Sequence, residues 1–233
     1  MVFRPDPCGC NLDGMVGPTY RRIAGICMVV GGLLALGCNI ALPHDDDDFR
    51  FVEEIGRSNS WPWLHAGLFV GVLLLLVGLH ALVQEVRAER PELASLATGA
   101  LLVGGTLMLA ALAVAGSAQR KAADNMLFVG RGPDLSGSFF SALGFDRLAY
   151  ALFAAASVTL LGTVPLATGA ALLRRVPALG ITGLIAGALG VVTGLVQLVA
   201  EVDTFALYLV TSVCVTLWAM AAGAWLVRGQ GSS

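Results

Sequence analysis

Long apolar stretches alternate with short polar segments along the chain. Six of the apolar stretches reach about 20 residues, the length at which a helix crosses a hydrocarbon core about 30 Å thick. Within lipid a helix satisfies all its backbone hydrogen bonds inside one segment. The pattern therefore predicts an all-α, polytopic integral membrane bundle of six transmembrane helices, at residues 20–42, 62–86, 93–118, 147–173, 177–200 and 205–227.

The segments between these stretches are polar and contain many helix breakers. Residues 1–19 are predicted to be a flexible leader, 20–227 the transmembrane domain and 228–233 a short tail. Residues 119–146 form the longest predicted connection, whose apolar patches favour the membrane interface. Pro165, inside the fourth span, removes a backbone hydrogen bond and predicts a kink.

The distribution of arginines predicts the orientation of the bundle. Short loops rich in Lys and Arg stay on the cytoplasmic side. The side that holds both termini, with Arg87, Arg90, Arg174 and Arg175 in its short turns, has more basic than acidic residues, whereas most acidic residues lie on the other side. Both termini are therefore predicted to be cytoplasmic, and the outer face is predicted to be acidic.

Composition narrows the class of protein further. The chain is 57% hydrophobic and 13% charged, whereas a soluble domain carries roughly a quarter charged residues. The net charge of -2 and the lack of a Lys/Arg cluster exclude a nucleic-acid partner and leave the lipid bilayer as the main one. A single lysine, Lys121, among many arginines indicates a GC-rich genome, and hence a bacterial or archaeal cytoplasmic membrane.

Two spans carry glycines at helical spacing. Small residues let helices approach closely in lipid, where burying apolar side chains contributes little to association. These faces can pack inside the bundle or against another membrane chain, and the sequence leaves both possibilities open. The glycines are Gly67, Gly71 and Gly78 in the second span and Gly183, Gly187, Gly190 and Gly194 in the fifth.

Polar side chains gather where the spans end on the acidic side. Such residues are costly at membrane depth and often mark a pathway or a binding site. They predict a shallow, outward-facing polar vestibule, although Glu201 and Asp203 also suit the polar cap of a turn. The vestibule candidates are Asn39, His65, Gln197, Glu201 and Asp203, with Tyr208 nearby.

The run from His44 to Asp48 is the most conspicuous polar segment. Carboxylates suit hard cations and imidazole suits transition metals, so His44, Asp46 and Asp48 are candidate metal ligands. Consecutive side chains usually point apart, and the run lacks the spacing of a calcium loop. A solvated acidic loop is the alternative interpretation.

Histidines and cysteines offer other weak sites. His65 and His80 are fifteen residues apart, about 22 Å along a helix, so they cannot bind one ion. Each can serve as one axial haem ligand or simply hydrogen-bond within the protein. Cys8 and Cys10 can bind a soft metal but lack the second pair of a zinc module. No cofactor is predicted, with haem and a metal ion left open.

Three segments of the later part of the chain have a distinctive pattern: the Phe145-Asp146-Arg147-Leu148 segment, the run from Arg175 to Gly187 and the Trp218–Gly223 pattern. Through these residues the C-terminal third resembles a family of bacterial membrane proteins that contain a domain of unknown function. In that family a basic-Pro-x-x-Gly turn opens a glycine-rich helix. The resemblance implies a six-helix bundle and supplies no active residues.

No nucleotide, hydrolase or metalloprotease motif is present, so a non-catalytic role is predicted. Three functions remain, of which an accessory or structural subunit that packs against other membrane chains is preferred. The second is a small-solute or ion transporter, which requires a cavity that reaches the middle of the membrane. The third is a metal-binding or haem-binding membrane protein.

Overall fold

A computed structural model describes residues 17–42, 47–129, 133–199 and 205–228, and every regular element in these ranges is helical. Two helices are interrupted by wider, π-helical turns, at Val114–Gln119 and Ser157–Thr163. The helices are α1 (Pro18–Ile40), α2 (Asp48–Arg57), α3 (Trp61–Arg87), α4 (Pro91–Ala113), α5 (Arg120–Val129), α6 (Pro133–Ala156), α7 (Val164–Leu172), α8 (Pro177–Val199) and α9 (Phe205–Arg228).

Six helical segments among the described residues are long and apolar enough to cross a membrane, which confirms the all-α, multi-pass fold. Two of them join several elements, because α4 continues into α5 and α6 continues into α7 through the π-helical turns. The segments are Pro18–Ile40, Trp61–Arg87, Pro91–Phe128, Ser136–Leu172, Pro177–Val199 and Ala206–Arg228.

Most of the predicted connection at residues 119–146 is helical rather than loop. Its breaker-rich composition suggested a loop, but Ala123 and Met126 bury their side chains against Val52 and Ile55 of α2. Burial of this apolar face stabilises α5 where composition alone favours a loop. The result is a small second core outside the main bundle.

We call α2, α5 and the first turns of α6 the cap, and the end of the bundle they cover the capped end. The cap begins where the side chain of Asp47 accepts hydrogen bonds from the backbone N–H groups of Phe49 and Arg50, at 2.9 and 3.0 Å. This is an N-cap that satisfies the first free amides of α2. Asp48 follows in the first turn, where its negative charge is stabilised by the helix dipole.

Large aromatic side chains around the capped end are strongly exposed. Phe128 is 92% exposed, Trp63 79% and Phe140 67%. Aromatic residues are enriched at the interface between the hydrocarbon core and water. Their exposure therefore fits contact with lipid near the capped end.

The glycines of α8 lie against the helical segment formed by α6, its π-helical turn and α7. A Cβ on Gly187 would stand 2.6 Å from the backbone nitrogen of Leu166, and one on Gly194 would stand 2.7 Å from the carbonyl oxygen of Ala154. Gly190 similarly faces the carbonyl of Leu161. These backbone contacts leave no room for a side chain, so the glycine face of α8 is used within the chain.

The glycines of α3 make the matching contact with α1. Gly71 and Gly31 face one another, and a Cβ on Gly31 would lie 2.6 Å from the carbonyl oxygen of Gly71. Gly78 faces the carbonyl of Ala24, and Gly67 faces the sulfur of Cys38. The second glycine face is therefore also occupied by the same chain.

Polar contacts supplement the glycine faces. Buried Thr193 of α8 and Thr211 of α9 share a hydrogen bond of 2.6 Å between their hydroxyls. At the end of the bundle opposite the cap, the carboxylate of Glu85 binds Arg21 at 3.2 Å and Arg175 at 3.0 Å. Arg175 also lies over the ring of Trp225. These contacts join α1, α3, the turn after α7, and α9.

Pro165 lies just beyond the second π-helical turn. A proline has no N–H to donate, and its ring crowds the carbonyl four residues earlier, here that of Leu161. The π-helical turn accommodates both the missing donor and the crowded carbonyl. The hydroxyl of Thr163 donates to the carbonyl of Val158, five residues back, at 3.0 Å. The distortion of the helix that accompanies Pro165 is therefore a π-helical turn.

The close contact at Gly187 predicts a measurable defect when one methyl group is added. Gly187→Ala should lower the free energy of unfolding by about 1–3 kcal/mol, because the α8 backbone must move away from α7. Gly99→Ala, in a helix position with open space around it, should be neutral or gain up to about 1 kcal/mol. SDS-induced unfolding in mixed micelles measures both. Equal midpoints for the two variants would contradict the packing described.

Candidate functional site

A partly open cavity of about 250 Å³ is lined by residues of the closely packed α1 and α3 on one side and of the packed α6, α7 and α8 on the other. Leu42 and Phe51 line it at the capped end, and Leu79 and Trp218 line it deep in the bundle. Trp61 and Leu79 both belong to α3 and are separated by about 27 Å along its axis. The cavity therefore extends past the middle of a hydrocarbon core about 30 Å thick.

The lining changes from polar to apolar with depth. Its deep part is formed by residues such as Leu75, Met108, Leu160 and Val215. Six polar lining residues lie near helix ends on the capped side, and each comes from a different helical segment. They are Asn39, His65, Gln119, Asp146, Gln197 and Tyr208, whereas Ser212 and Thr216 lie further along α9. The cavity is thus amphipathic, with one polar end and one apolar end.

The first π-helical turn positions a tryptophan and a histidine at the polar end. The indole N–H of Trp61 donates to the carbonyl of Ala115 in this turn, at 2.9 Å. Nδ1 of His65 lies 3.0 Å from the carbonyl oxygen of Trp61, and the two rings are 4.4 Å apart. Gly116 gives His65 its space, because a Cβ there would stand 2.7 Å from that of the histidine. Both rings are therefore held in fixed orientations.

Gln119 and Asp146 form a pair that connects two spans. Gln119 is 1% exposed, and its side-chain amide donates to the carboxylate of Asp146 at 3.0 Å. In the part of the chain that the structure describes, no Lys or Arg lies within salt-bridge distance of this carboxylate. Asp146 is the ionisable carboxylate of the cavity lining.

Gln197 is a buried polar residue of the cavity lining with an unsatisfied acceptor. Its side chain is 6% exposed, and its amide oxygen has no hydrogen-bond partner among the described residues. A buried acceptor without a partner costs roughly 1–3 kcal/mol. In a cavity wall, a water molecule or a bound solute can supply the donor that such a group lacks.

Tyr208 completes the polar end from α9. Its hydroxyl hydrogen-bonds with Ser212, one turn further along the helix. Its ring lies 6.0 Å from that of Phe153 of α6. The two aromatic rings therefore contribute to one wall of the cavity.

The structure brings three of the predicted vestibule residues, Asn39, His65 and Gln197, to one cavity. Glu201 and Asp203 lie outside the described residues, as do His44 and Asp46 of the candidate metal run. Asp48 is exposed in the first turn of α2. Among the described residues, no three His, Cys, Asp or Glu side chains group as a metal site. The cavity is also deeper than the shallow vestibule that was predicted.

Sequence reasoning missed Gln119 and Asp146 because both were assigned to the ends of a loop. A signal was present, since buried Leu112, Ala115, Gln119, Ala122 and Met126 continue one helical face through this region. Their spacing of three or four residues is typical of a helix that continues past residue 118. Following that face would have placed Gln119 in the core.

The cavity is too small for haem. Its volume of about 250 Å³ is below the roughly 300–1,000 Å³ of pockets that take drug-sized ligands, and a haem is larger than these. His80, the second haem candidate, is exposed, and its Nε2 lies 3.5 Å from the side-chain amide nitrogen of Gln84 on the same helix. The residues present therefore fit a smaller ligand.

Arg120 fastens the cap over the polar end. Its guanidinium donates to the carbonyls of Ile55 and Ser58 at the end of α2, the latter at 2.6 Å, and pairs with Asp124 at 3.0 Å. Because Arg120 directly follows Gln119, this contact ties α2 to the segment that lines the cavity. The guanidinium thus adds a donor at the C-terminal end of α2, where the carbonyl of Ile55 also accepts from the backbone N–H of Ser58.

Removing this contact should loosen the cap. Arg120→Ala should speed amide hydrogen exchange across residues 48–60 by about 10- to 100-fold, because hydrogen bonds to charged groups contribute roughly 1.5–3 kcal/mol. Arg57→Ala, which removes a surface pair with Glu53, is the control and should leave exchange nearly unchanged. Hydrogen exchange with mass spectrometry measures both variants, and equal exchange rates would contradict the role given to Arg120.

Comparison with known proteins yields no match to any family model, any curated protein or any solved structure. The resemblance of the C-terminal third to a bacterial membrane family stays an expectation from the sequence. The chemistry of the cavity therefore has to be inferred from its own residues.

Proposed function

We propose that this membrane protein is a small-solute transporter that holds an amphipathic solute in the cavity beneath its cap. The observation that carries the proposal is the unpartnered amide oxygen of Gln197 in a cavity that extends past mid-membrane. A bundle built only as a scaffold gains nothing from a buried acceptor that costs free energy. A solute with a hydrogen-bond donor would satisfy it.

The polarity of the cavity supports a solute that has one polar end and one apolar end. Its donor would lie beside Gln197 and Asp146 at the capped end, and its apolar body would lie along Leu75 and Leu160. Binding pockets are commonly apolar with a few placed polar groups, as here. Ionisable residues are missing from the deep lining, which disfavours coupling to a proton relay through the centre.

Localisation and orientation belong to the same proposal. The arginine distribution favours a bacterial or archaeal cytoplasmic membrane with both termini inside the cell, so the capped end would face outward. The cap would then control entry from the outer side. Its fastening by Arg120 supports this, because one side chain connects α2 to the polar end.

The subunit interpretation receives less support from the geometry. It was favoured by the glycine faces, and both of these pack against helices of the same chain. The exposed apolar side chains of the spans fit contact with lipid. A non-catalytic role remains part of the proposal, with solute binding in place of subunit assembly.

Thiol labelling tests whether the cavity opens to water. In a chain with its native cysteines replaced by alanine, Thr216→Cys places a thiol on the deep lining, where a membrane-impermeant cationic methanethiosulfonate should modify it. Leu102→Cys is the control, since Leu102 is 67% exposed on a helix surface that faces lipid. We expect Thr216→Cys to be labelled and Leu102→Cys to remain unlabelled.

Labelling from each side of proteoliposomes also shows from which side of the membrane the reagent reaches the cavity. A transporter should expose Thr216→Cys to reagent, and loosening the cap by Arg120→Ala should speed labelling from the capped side. A Thr216→Cys protein that stays unlabelled from both sides, with or without the Arg120 substitution, would contradict the proposed function.

A further inference from the structure

The chemistry of the lining indicates which solute the cavity takes, an inference that rests on the proposed function. We propose that the solute is a small organic ammonium with an apolar body about the size of one aromatic ring. Its ammonium group would donate hydrogen bonds to the carboxylate of Asp146 and the amide oxygen of Gln197.

The charge of the lining supports a cation. Asp146 lines the cavity, and no Lys or Arg is among the lining residues. Its described hydrogen-bond partner is the neutral amide of Gln119, and Arg147 acts on the carboxylate electrostatically from beyond salt-bridge distance. Buried charges in proteins are usually paired at close range, so a cationic solute would supply a direct ion pair. An anionic solute would be repelled from the same place.

The unpartnered oxygen of Gln197 adds a second requirement, since it accepts hydrogen bonds and needs a donor. An ammonium group has three donors and no acceptor, whereas a carboxylate has acceptors alone. A hydroxyl could serve Gln197 but would leave Asp146 without a counter-charge. Each of the two residues therefore favours an ammonium group over a hydroxyl or a carboxylate.

Aromatic rings at the polar end provide a third support. Trp61, Phe153 and Tyr208 line the cavity, and the rings of Phe153 and Tyr208 are 6.0 Å apart. Cations are attracted to aromatic faces within about 6 Å. These rings would favour an ammonium group over a neutral head of the same size.

The volume limits the apolar body. An engineered apolar cavity of about 150 Å³ holds benzene, so a cavity of about 250 Å³ has room for a ring and a few further atoms. A long-chain lipid would not fit inside. The expected solutes are therefore compact arylalkyl or alkyl amines.

Three probes that share a ring and differ in their head groups test the proposal. They are 2-phenylethylammonium, 2-phenylethanol and 3-phenylpropanoate, titrated at pH 7 into the full chain in lipid nanodiscs, with empty nanodiscs as the blank. Isothermal titration calorimetry should show the ammonium compound binding about tenfold or more tightly than the alcohol, since charge-assisted hydrogen bonds are stronger. The carboxylate should show no saturable binding.

Two substitutions assign the effect to its residues. Asp146→Asn keeps the size of the side chain and an acceptor for Gln119. It should weaken the binding of the ammonium compound about tenfold and leave the affinity for the alcohol unchanged. Gln197→Leu should weaken the binding of both the ammonium compound and the alcohol. Glu53→Gln removes a half-buried carboxylate of the cap that pairs with Arg57 and is not in the cavity lining, and it should change neither affinity.

The outcomes separate this inference from the proposed function. Equal affinities for the ammonium compound and the alcohol, or an ammonium affinity unchanged by Asp146→Asn, would overturn the amine assignment while leaving a solute-binding cavity. Failure of all three probes to bind would overturn it as well. Labelling of Thr216→Cys, which depends on none of these probes, then decides whether the proposed function also fails.

Discussion

Close backbone contact at glycine is the interaction on which the rest of this structure depends. In lipid, apolar side chains gain little from leaving their surroundings, so helices associate where their backbones can approach. Gly71 brings α3 against α1, and Gly187 brings α8 against α7. The cavity lies between these two tightly packed groups and is lined by helices of both. A side chain at either contact would separate the helices and alter the shape of the cavity.

The two π-helical turns contribute to the wall of the same cavity. The first offers the carbonyl of Ala115 to Trp61 and makes room for His65 beside Gly116. The second includes Leu160 and Leu161, which line the deep part of the cavity. Turns of this kind occur often at functional sites. Here residues of each turn form part of the cavity wall.

The sequence predicted the fold more completely than the site. Apolar length is a direct consequence of membrane thickness, so six spans could be counted from it. Asn39, His65 and Gln197 could be found because polar residues stand out within apolar stretches. Gln119 and Asp146 could not be found in this way, since they border a polar segment, and their burial depends on the packing of α5 against α2. Whether Gln197 has a partner depends on the positions of several helices, which no local pattern contains.

In the proposed solute complex, the amide oxygen of Gln197 accepts a hydrogen bond from the bound solute. Electron cryomicroscopy of the full chain in nanodiscs, at a resolution that shows side-chain contacts, tests this most directly. The account predicts that purified protein with 2-phenylethylammonium shows density within hydrogen-bond distance of the amide oxygen of Gln197 and of the Asp146 carboxylate. A map in which other side chains of the protein satisfy Gln197 and fill the cavity would contradict it.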